Sequence, residues 1–206
     1  MLHLFVEGEV TEASYADRIN EHFGQQRRFH LKVHERRTGG KPPELVDAAI
    51  RLRAEELPQA ADRRDSGLEP EVWCLFDRDA HGEVDAAVAE ATRNGIRVAF
   101  SHPCFELWLL LHFQLFATPL SGRCGDLTRK LRQHDGFQRY DKHISEVEWA
   151  ALCGRFGDAR TRALQLVQQC PSAGCGPQEH APYCVPTKRD PSTDVWKLLD
   201  SLELRY

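Results

Sequence analysis

The chain has 206 residues, of which 41% are hydrophobic and 28% charged, and its net charge is −4. This length suits one sizeable domain or a domain with an appended lobe, and the composition is that of an ordinary globular protein. The acidic balance excludes a strongly basic nucleic-acid coat protein, although a local basic loop or a bound metal ion would still suffice for a nuclease. The chain has no apolar run near the length of a membrane span and no signal peptide at MLHLFVEGE, so we expect a cytoplasmic protein that does not contact membranes.

Strand and helix patterns alternate through the first hundred residues. The predicted elements are a strand at Leu2–Val6, a helix from Thr11 to about Phe23, a strand at Phe29–His34, a helix at Glu44–Leu57, a strand at Val72–Phe76, a helix at Glu83–Asn94 and a strand at Ile96–Phe100. This alternation predicts an α/β fold, with a parallel sheet and helices on its faces.

The second half of the chain is predicted to be mainly helical. A buried helix is expected at Phe105–Phe116, followed by helices at Leu127–Gln133, Ser145–Phe156 and Ala159–Gln169. A loop rich in Pro, Gly and Cys covers about residues 170–190, and Asp190-Pro191 is expected to open a final helix. We therefore divide the chain into an α/β core, residues 1–115, and a mainly helical C-terminal part, residues 116–206.

Three carboxylates follow predicted strands. Asp77 and Asp79 come directly after the apolar run at Val72–Phe76, and Glu7 follows the first strand. Because parallel strands end at the same edge of a sheet, the three side chains are expected to converge there. Such a cluster suits Mg²⁺ or Mn²⁺, which could polarise a phosphate and help to generate a nucleophile. The alternative is that Asp77 and Asp79 are turn residues that cap the next helix.

The order of these segments resembles the Toprim domain of topoisomerases, primases and overcoming-lysogenization-defect nucleases. It is still more similar to the RloB family, Toprim-like proteins encoded in restriction and phage-defence loci. The matching segments are Val6-Glu7-Gly8, Thr11-Glu12, Tyr15, Phe76–His81, Ser101–Trp108, His112-Phe113 and Pro191-Ser192-Thr193. His102 departs from the asparagine expected in the family. The resemblance implies a metal-dependent nuclease that works beside an AAA- or ABC-type ATPase.

Other charged residues are candidates for metal or substrate binding. Glu106 opens the helix after the fourth strand, where it would be a ligand of a second metal ion, an orienting group or an ordinary first-turn charge. Arg36, Arg37 and Lys41 lie in a basic, glycine-rich loop after the second strand and are candidates for substrate binding. Lys142 is a weaker candidate for stabilising charge on a phosphate.

Three polar residues are interpreted as structural, and a fourth, His81, has two interpretations. Glu9 and Glu12 are interpreted as surface or helix-start charges, because acidic residues favour the first helical turn. His112 lies four residues after Trp108 and is expected to be a packed, hydrogen-bonded core histidine. His81 would either face a phosphate or lie in a solvated loop.

Six of the seven cysteines fall into two groups. Cys74, Cys104 and Cys153 are expected to be free or metal-bound thiols in a reducing compartment. Cys170, Cys175, His180 and Cys184 form the pattern C-x4-C-x4-H-x3-C, whose four N and S ligands suit a closed structural Zn²⁺ site. The alternative is a loop that contains free cysteines.

The expected function is Mg²⁺-dependent hydrolysis of a phosphodiester in DNA or RNA, with Glu7, Asp77, Asp79 and Glu106 as catalytic residues. The alternative is a non-catalytic subunit that binds nucleic acid or an ATPase within a defence complex. Neither composition nor spacing distinguishes DNA from RNA, and both leave the oligomeric state open.

Overall fold

A computed structural model describes residues 2–8, 10–24, 31–35, 41–62, 71–78, 83–172 and 174–204. These residues form an α/β fold with a five-stranded sheet in the order β2-β1-β3-β4-β5. The strands are β1 (Leu2–Val6), β2 (Leu31–Glu35), β3 (Glu71–Asp77), β4 (Arg97–His102) and β5 (Ser192–Thr193). In the described part of the chain, every helix is too short or too polar to cross a membrane.

Eight α-helices connect or follow these strands in the described residues. They are α1 (Thr11–Ile19), α2 (Pro42–Asp62), α3 (Val84–Arg93), α4 (Glu106–Leu111), α5 (Gly125–Leu131), α6 (Glu146–Leu152), α7 (Phe156–Gln168) and α8 (Val195–Ser201). A π-helical turn, Asn20–Gly24, extends α1, and a 3-10 turn, Pro186–Lys188, precedes β5. The prediction of an α/β fold with a largely parallel sheet and helices around it is confirmed.

The chain forms two compact units, and the first comprises residues 1–76 and 81–98. Its centre is β1, which pairs in parallel with β2 on one side and β3 on the other. All five residues of β1 are buried, as expected for a mainly apolar strand covered on both faces. Helix α2 buries Leu45, Val46 and Ala49, and its Arg53 donates to the Asn94 carbonyl at 2.5 Å, which fixes α2 to the end of α3.

The second unit comprises residues 77–80 and 99–206. Helix α4 lies at its centre, with all six residues buried against neighbours that include α5 and α7. Helix α6 begins with a capping box in which Ser145 and Glu148 bond reciprocally. An ion pair of 2.9 Å between Arg160 and Asp200 connects α7 with α8. The division into residues 1–115 and 116–206 remains a prediction.

Two details of the second unit differ from expectation. Pro191 does not open the final helix, because Ser192 and Thr193 first form β5, antiparallel to β4. Helix α4 ends at Leu111 rather than Phe116. Beyond it, Phe113 still packs against Phe137, with ring centroids 5.5 Å apart, so buried side chains continue after the helical backbone has ended. Apolar composition alone could not show that change.

Candidate functional site

The best-defined acidic site in the described residues joins the ends of β3 and β4. Asp77 is the last residue of β3, and its Oδ2 accepts a hydrogen bond of 3.0 Å from the backbone N–H of Phe105. Phe105 immediately precedes Glu106, the first residue of α4. The backbone N–H of Arg78 donates to the Ser101 carbonyl at 2.9 Å, which holds the β3 end beside β4. Asp77 and Glu106 are therefore positioned by one short backbone segment.

Glu106 is almost completely buried, with 2% of its surface exposed. Its Oε1 receives the ammonium group of Lys142 as an ion pair and accepts a hydrogen bond of 3.3 Å from the Tyr140 hydroxyl. Two groups from the segment between α5 and α6 thus satisfy one oxygen of this carboxylate. This fixed position makes Glu106 more than an exposed first-turn charge.

Cys104 is not a free thiol, contrary to expectation. It forms a disulfide with Cys124, 20 residues later in the chain, with the Cα atoms 5.9 Å apart. The Cys124 Sγ lies 3.0 Å from Glu106 Oε2. Because a disulfide sulfur carries no proton, we interpret this as a close approach and not as a hydrogen bond. The bridge brings the start of α5 against the start of α4, a proximity that the sequence spacing did not reveal. Cys74 and Cys153 are free thiols, as expected.

Glu7 and Glu12 both lie in the first unit, at the carboxyl end of β1. Val6 pairs with Leu75 in register, and the Glu7 N–H donates to the Leu75 carbonyl at 3.1 Å, so Glu7 follows β1 level with the end of β3. Glu12 lies in the first turn of α1 as predicted, but it is buried and not on the surface.

The Glu12 carboxylate occupies the space that a Cβ at Gly8 would fill. Sequence reasoning assigned Glu12 to the surface or the helix start and did not predict its burial beside Gly8. The available signal was the glycine two residues after the strand, because a residue without a side chain admits a neighbouring group.

Several sequence candidates lie outside the described residues: Asp79, His81, Glu9, Arg36 and Arg37. Lys41, from the same basic loop, is described and exposed. Lys142 is half exposed and pairs with Glu106, which gives it a partner within the protein.

Arg78, which sequence reasoning did not select, adds a half-buried cation directly after Asp77. Its Nη1 would lie 3.4 Å from a Cβ at Gly122, so the guanidinium approaches the loop before α5.

His102, the departure from the family pattern, is a buried residue at the end of β4. Its Nε2 lies 3.6 Å from Asp190 Oδ2. Asp190 also accepts the backbone N–H groups of Leu120 and Ser121 at 3.1 and 2.7 Å. The histidine therefore belongs to a packed junction that fastens the segment before β5 to the loop before α5.

Cys170, Cys175, His180 and Cys184 form a compact cluster in the second unit. One ligand atom from each of the four residues lies within 4.8 Å of all the others. The Sγ atoms of Cys170 and Cys184 are 3.7 Å apart, and His180 Nδ1 lies 3.5 Å from Cys175 Sγ and 3.8 Å from Cys184 Sγ. Four residues spread over the Pro/Gly-rich loop thus direct sulfur and nitrogen atoms toward one point.

Burial changes the pKa of two further groups. His112 is fully buried, as expected, and its Nδ1 bonds to the Trp108 carbonyl at 2.9 Å. Desolvation lowers the pKa of His112 to about 3, so the imidazole is neutral at physiological pH. Desolvation also raises the pKa of the Cys74 thiol to about 12, which makes it a poor nucleophile. Both residues are core groups and not catalytic candidates.

Comparison with known proteins adds one assignment. A family model described as RloB-like protein matches residues 2–202, which is nearly the whole chain. Neither the curated proteins nor the solved structures contain a significant match. The matched region includes the carboxylates Glu7, Asp77 and Glu106 and the four residues of the Cys/His cluster. The chain therefore belongs to the RloB-like family.

Proposed function

We propose that this protein is a metal-dependent nuclease that hydrolyses phosphodiester bonds through a Toprim-like set of carboxylates, namely Glu7, Asp77, Asp79 and Glu106. The observation that carries the proposal is the pairing of Asp77 with the Phe105 N–H at 3.0 Å, next to the buried Glu106. Carboxylates at the carboxyl ends of adjoining strands occupy the position where α/β sheets bind ligands.

The donor chemistry fits a hard divalent cation. Mg²⁺ prefers oxygen ligands and is commonly held by one or two carboxylates together with water and substrate phosphate. When bound, such an ion would polarise the phosphate and supply a reactive water. Asp77 would be a ligand whose orientation is set by the Phe105 N–H, as metal-binding carboxylates are usually oriented by a hydrogen bond.

The remaining groups of the second unit have roles that follow from their contacts. Lys142 and Tyr140 hold the Glu106 carboxylate in one orientation, so Glu106 acts in our proposal as a ligand or an orienting group with a fixed geometry. Arg78 provides positive charge beside Asp77, which would favour the approach of a phosphate. Arg36, Arg37 and Lys41 would bind the nucleic-acid backbone.

The biological setting is part of the proposal. Membership of the RloB-like family fits a protein of a phage-defence locus, and an ATPase partner in the cytoplasm would be consistent with that setting. A partner would control when the nuclease acts. Co-expression with an AAA- or ABC-type ATPase, if the same locus encodes one, should then change the cleavage rate in the presence of ATP and leave it unchanged without nucleotide.

The test uses Asp77→Asn and Glu106→Gln beside the wild type. Asparagine keeps a carbonyl oxygen that can accept from the Phe105 N–H, so the local fold should survive while the charge is lost. We expect labelled DNA or total RNA to be cleaved by the wild type with Mg²⁺ or Mn²⁺ but not with EDTA. Asp77→Asn should reduce that cleavage on the order of 100-fold or more.

Asp158→Asn is the matched control, because Asp158 is exposed in the first turn of α7 and belongs to the same unit. It should cleave like the wild type. Full activity in Asp77→Asn with Mg²⁺ would refute the proposed site. Binding of the cation should be measured by calorimetry on all four proteins, because a loss of cleavage alone does not identify its cause.

A second function is favoured by the contacts of Glu106, whose carboxylate already has two partners within the protein. A carboxylate that already accepts from Lys142 and Tyr140 is also what a purely structural junction requires. In that case the chain would be a non-catalytic subunit that binds nucleic acid or an ATPase. Absence of both Mg²⁺ and Mn²⁺ binding in calorimetry, with retained nucleic-acid binding, would support this function over the nuclease.

A further inference from the structure

We propose that Cys170, Cys175, His180 and Cys184 bind one structural zinc ion that organises the segment between α7 and β5. This site is separate from the carboxylates of the proposed nuclease and does not depend on that activity. The arrangement of the four side chains, their distances and the charge beside them support this site.

The distances match a tetrahedral zinc centre. Bond lengths of about 2.3 Å to sulfur and about 2.0–2.1 Å to nitrogen, at the tetrahedral angle, place two sulfurs ~3.8 Å apart and a sulfur and a nitrogen ~3.6 Å apart. The observed Cys170–Cys184 separation is 3.7 Å, and His180 Nδ1 lies 3.5 and 3.8 Å from the sulfurs of Cys175 and Cys184. The sulfur pair is also too far apart for a disulfide, whose S–S bond is about 2.05 Å.

The surroundings fit a thiolate-rich metal centre. The backbone N–H of Ala181 donates to Cys175 Sγ at 3.4 Å, an interaction that stabilises a thiolate and orients it. Three thiolates and one Zn²⁺ carry a net negative charge. Arg189 supplies a positive charge nearby, since its guanidinium donates to the Cys184 carbonyl at 2.5 Å.

The ion would stabilise a segment that has little regular secondary structure. Between α7 and β5 the described residues contain only the short 3-10 turn Pro186–Lys188. Cys170 follows the end of α7, whereas Cys184 lies two residues before that turn. A metal that joins them would hold the two ends of the loop together, in a part of the protein where apolar burial is sparse.

The zinc is to be measured in the full-length protein, purified with a tag that does not bind metal, in reducing buffer without chelators. We expect elemental analysis to find about one zinc per chain in the wild type. The zinc content of Cys175→Ser and of His180→Ala should fall to background. Cys153→Ser is the matched control, because Cys153 is an exposed free thiol outside the cluster, and it should retain the wild-type content.

Two further readouts use the wild type alone, so a variant that fails to fold does not decide the question. Cobalt exchanged into the protein should give the visible bands of a tetrahedral ion and a thiolate-to-metal charge-transfer band in the near ultraviolet. Removal of zinc should accelerate tryptic cleavage after Lys188 and Arg189. Wild type that contains no zinc, takes up none on addition and gives no cobalt–thiolate spectrum would overturn the proposal.

Discussion

The ammonium group of Lys142 forms an ion pair with the carboxylate of Glu106 at the start of α4. The two partners differ in environment, because the Glu106 side chain is 3% exposed and the Lys142 side chain is 50% exposed. The charge of the buried Glu106 carboxylate is therefore compensated by a partly exposed residue that lies 36 positions away in the chain. Removing the lysine would leave a negative charge in the protein interior.

Lys142→Met should therefore destabilise the protein. Loss of a partner from a fully buried pair costs about 3–5 kcal/mol, and the solvent exposure of Lys142 reduces our expectation to about 1–2 kcal/mol. Chemical denaturation of Lys142→Met, Glu106→Gln and the double variant gives the coupling energy between the two residues. Lys32→Met, a change at an exposed lysine of β2, should alter the free energy of unfolding by less than about 0.5 kcal/mol. A coupling energy near zero would show that the pair contributes nothing.

The stability of the protein should decline in acid because of His112. Its pKa is about 3 in the folded protein and 6.5 in its ordinary state, so the unfolded chain binds the proton more readily. The contribution of neutral His112 to the free energy of unfolding is fully present above pH 6.5. It declines as the pH falls, by about 2 kcal/mol at pH 5. His112→Gln should be less stable at pH 7 but should show a shallower decline between pH 7 and pH 5.

His143→Gln is the control for that comparison, because His143 is exposed in the same unit. Its pH profile should parallel that of the wild type. Equal slopes for all three proteins would mean that His112 does not carry the acid sensitivity. Other titrating groups contribute equally to each profile, so the difference between profiles isolates the substituted histidine.

The cysteines should separate by reactivity. Native protein should be alkylated at the exposed Cys153, whereas buried Cys74, with its pKa raised to about 12, should react only after unfolding. Unfolded protein without reductant should expose five thiols, since two of the seven cysteines form the disulfide. Seven reactive thiols under those conditions would show that Cys104 and Cys124 are not bonded in solution.

The Cys104–Cys124 bridge should also contribute to stability. A cross-link that closes a loop of this size stabilises a folded protein by about 2–4 kcal/mol, chiefly by restricting the unfolded chain. Cys124→Ser should therefore lower the free energy of unfolding by that amount in oxidising buffer and by much less in reducing buffer. Cys153→Ser should behave like the wild type in both buffers, and an effect of Cys124→Ser independent of redox state would contradict the cross-link.

The basic loop predicts a salt effect on nucleic-acid binding. Changing Arg36, Arg37 and Lys41 to alanine should weaken binding about equally for all sequences. It should also flatten the dependence of affinity on salt, by roughly one unit of slope for each phosphate that the variant no longer neutralises. Binding of Mg²⁺ should stay unchanged, because the carboxylates are untouched. A triple variant at three other basic positions, Lys32, Arg51 and Arg93, should keep the wild-type slope. An unaltered slope in the loop variant would direct the search to Arg78 and Lys142.

Sequence patterns predicted most of the sheet because buried parallel strands are continuous apolar runs. Leu2–Val6 and Val72–Phe76 could be located in this way, and their ends implied where Glu7 and Asp77 would leave the sheet. β5 could not be predicted, because Ser192 and Thr193 form a strand of two polar residues without any periodicity. The disulfide and the burial of Glu12 could not be predicted for a related reason. Both depend on contacts between segments that are distant in sequence or on local packing in three dimensions, and not on a local sequence pattern.

The pairing of β4 with β5 has a consequence for the order of events during protein synthesis. Ser101 and Thr193 bond through their hydroxyl groups at 2.9 Å, and the Asp194 N–H donates to the Phe100 carbonyl at 2.8 Å, so β4 acquires its edge partner about ninety residues after it is made. Pairings of such long sequence separation form late, because the intervening chain must first be closed into a loop. A ribosome-bound chain that has emerged only through α7 would hold the Asp77–Glu106 region without its final neighbour. The sheet edge at β4, beside the acidic site, would therefore be completed only when the last strand leaves the ribosome.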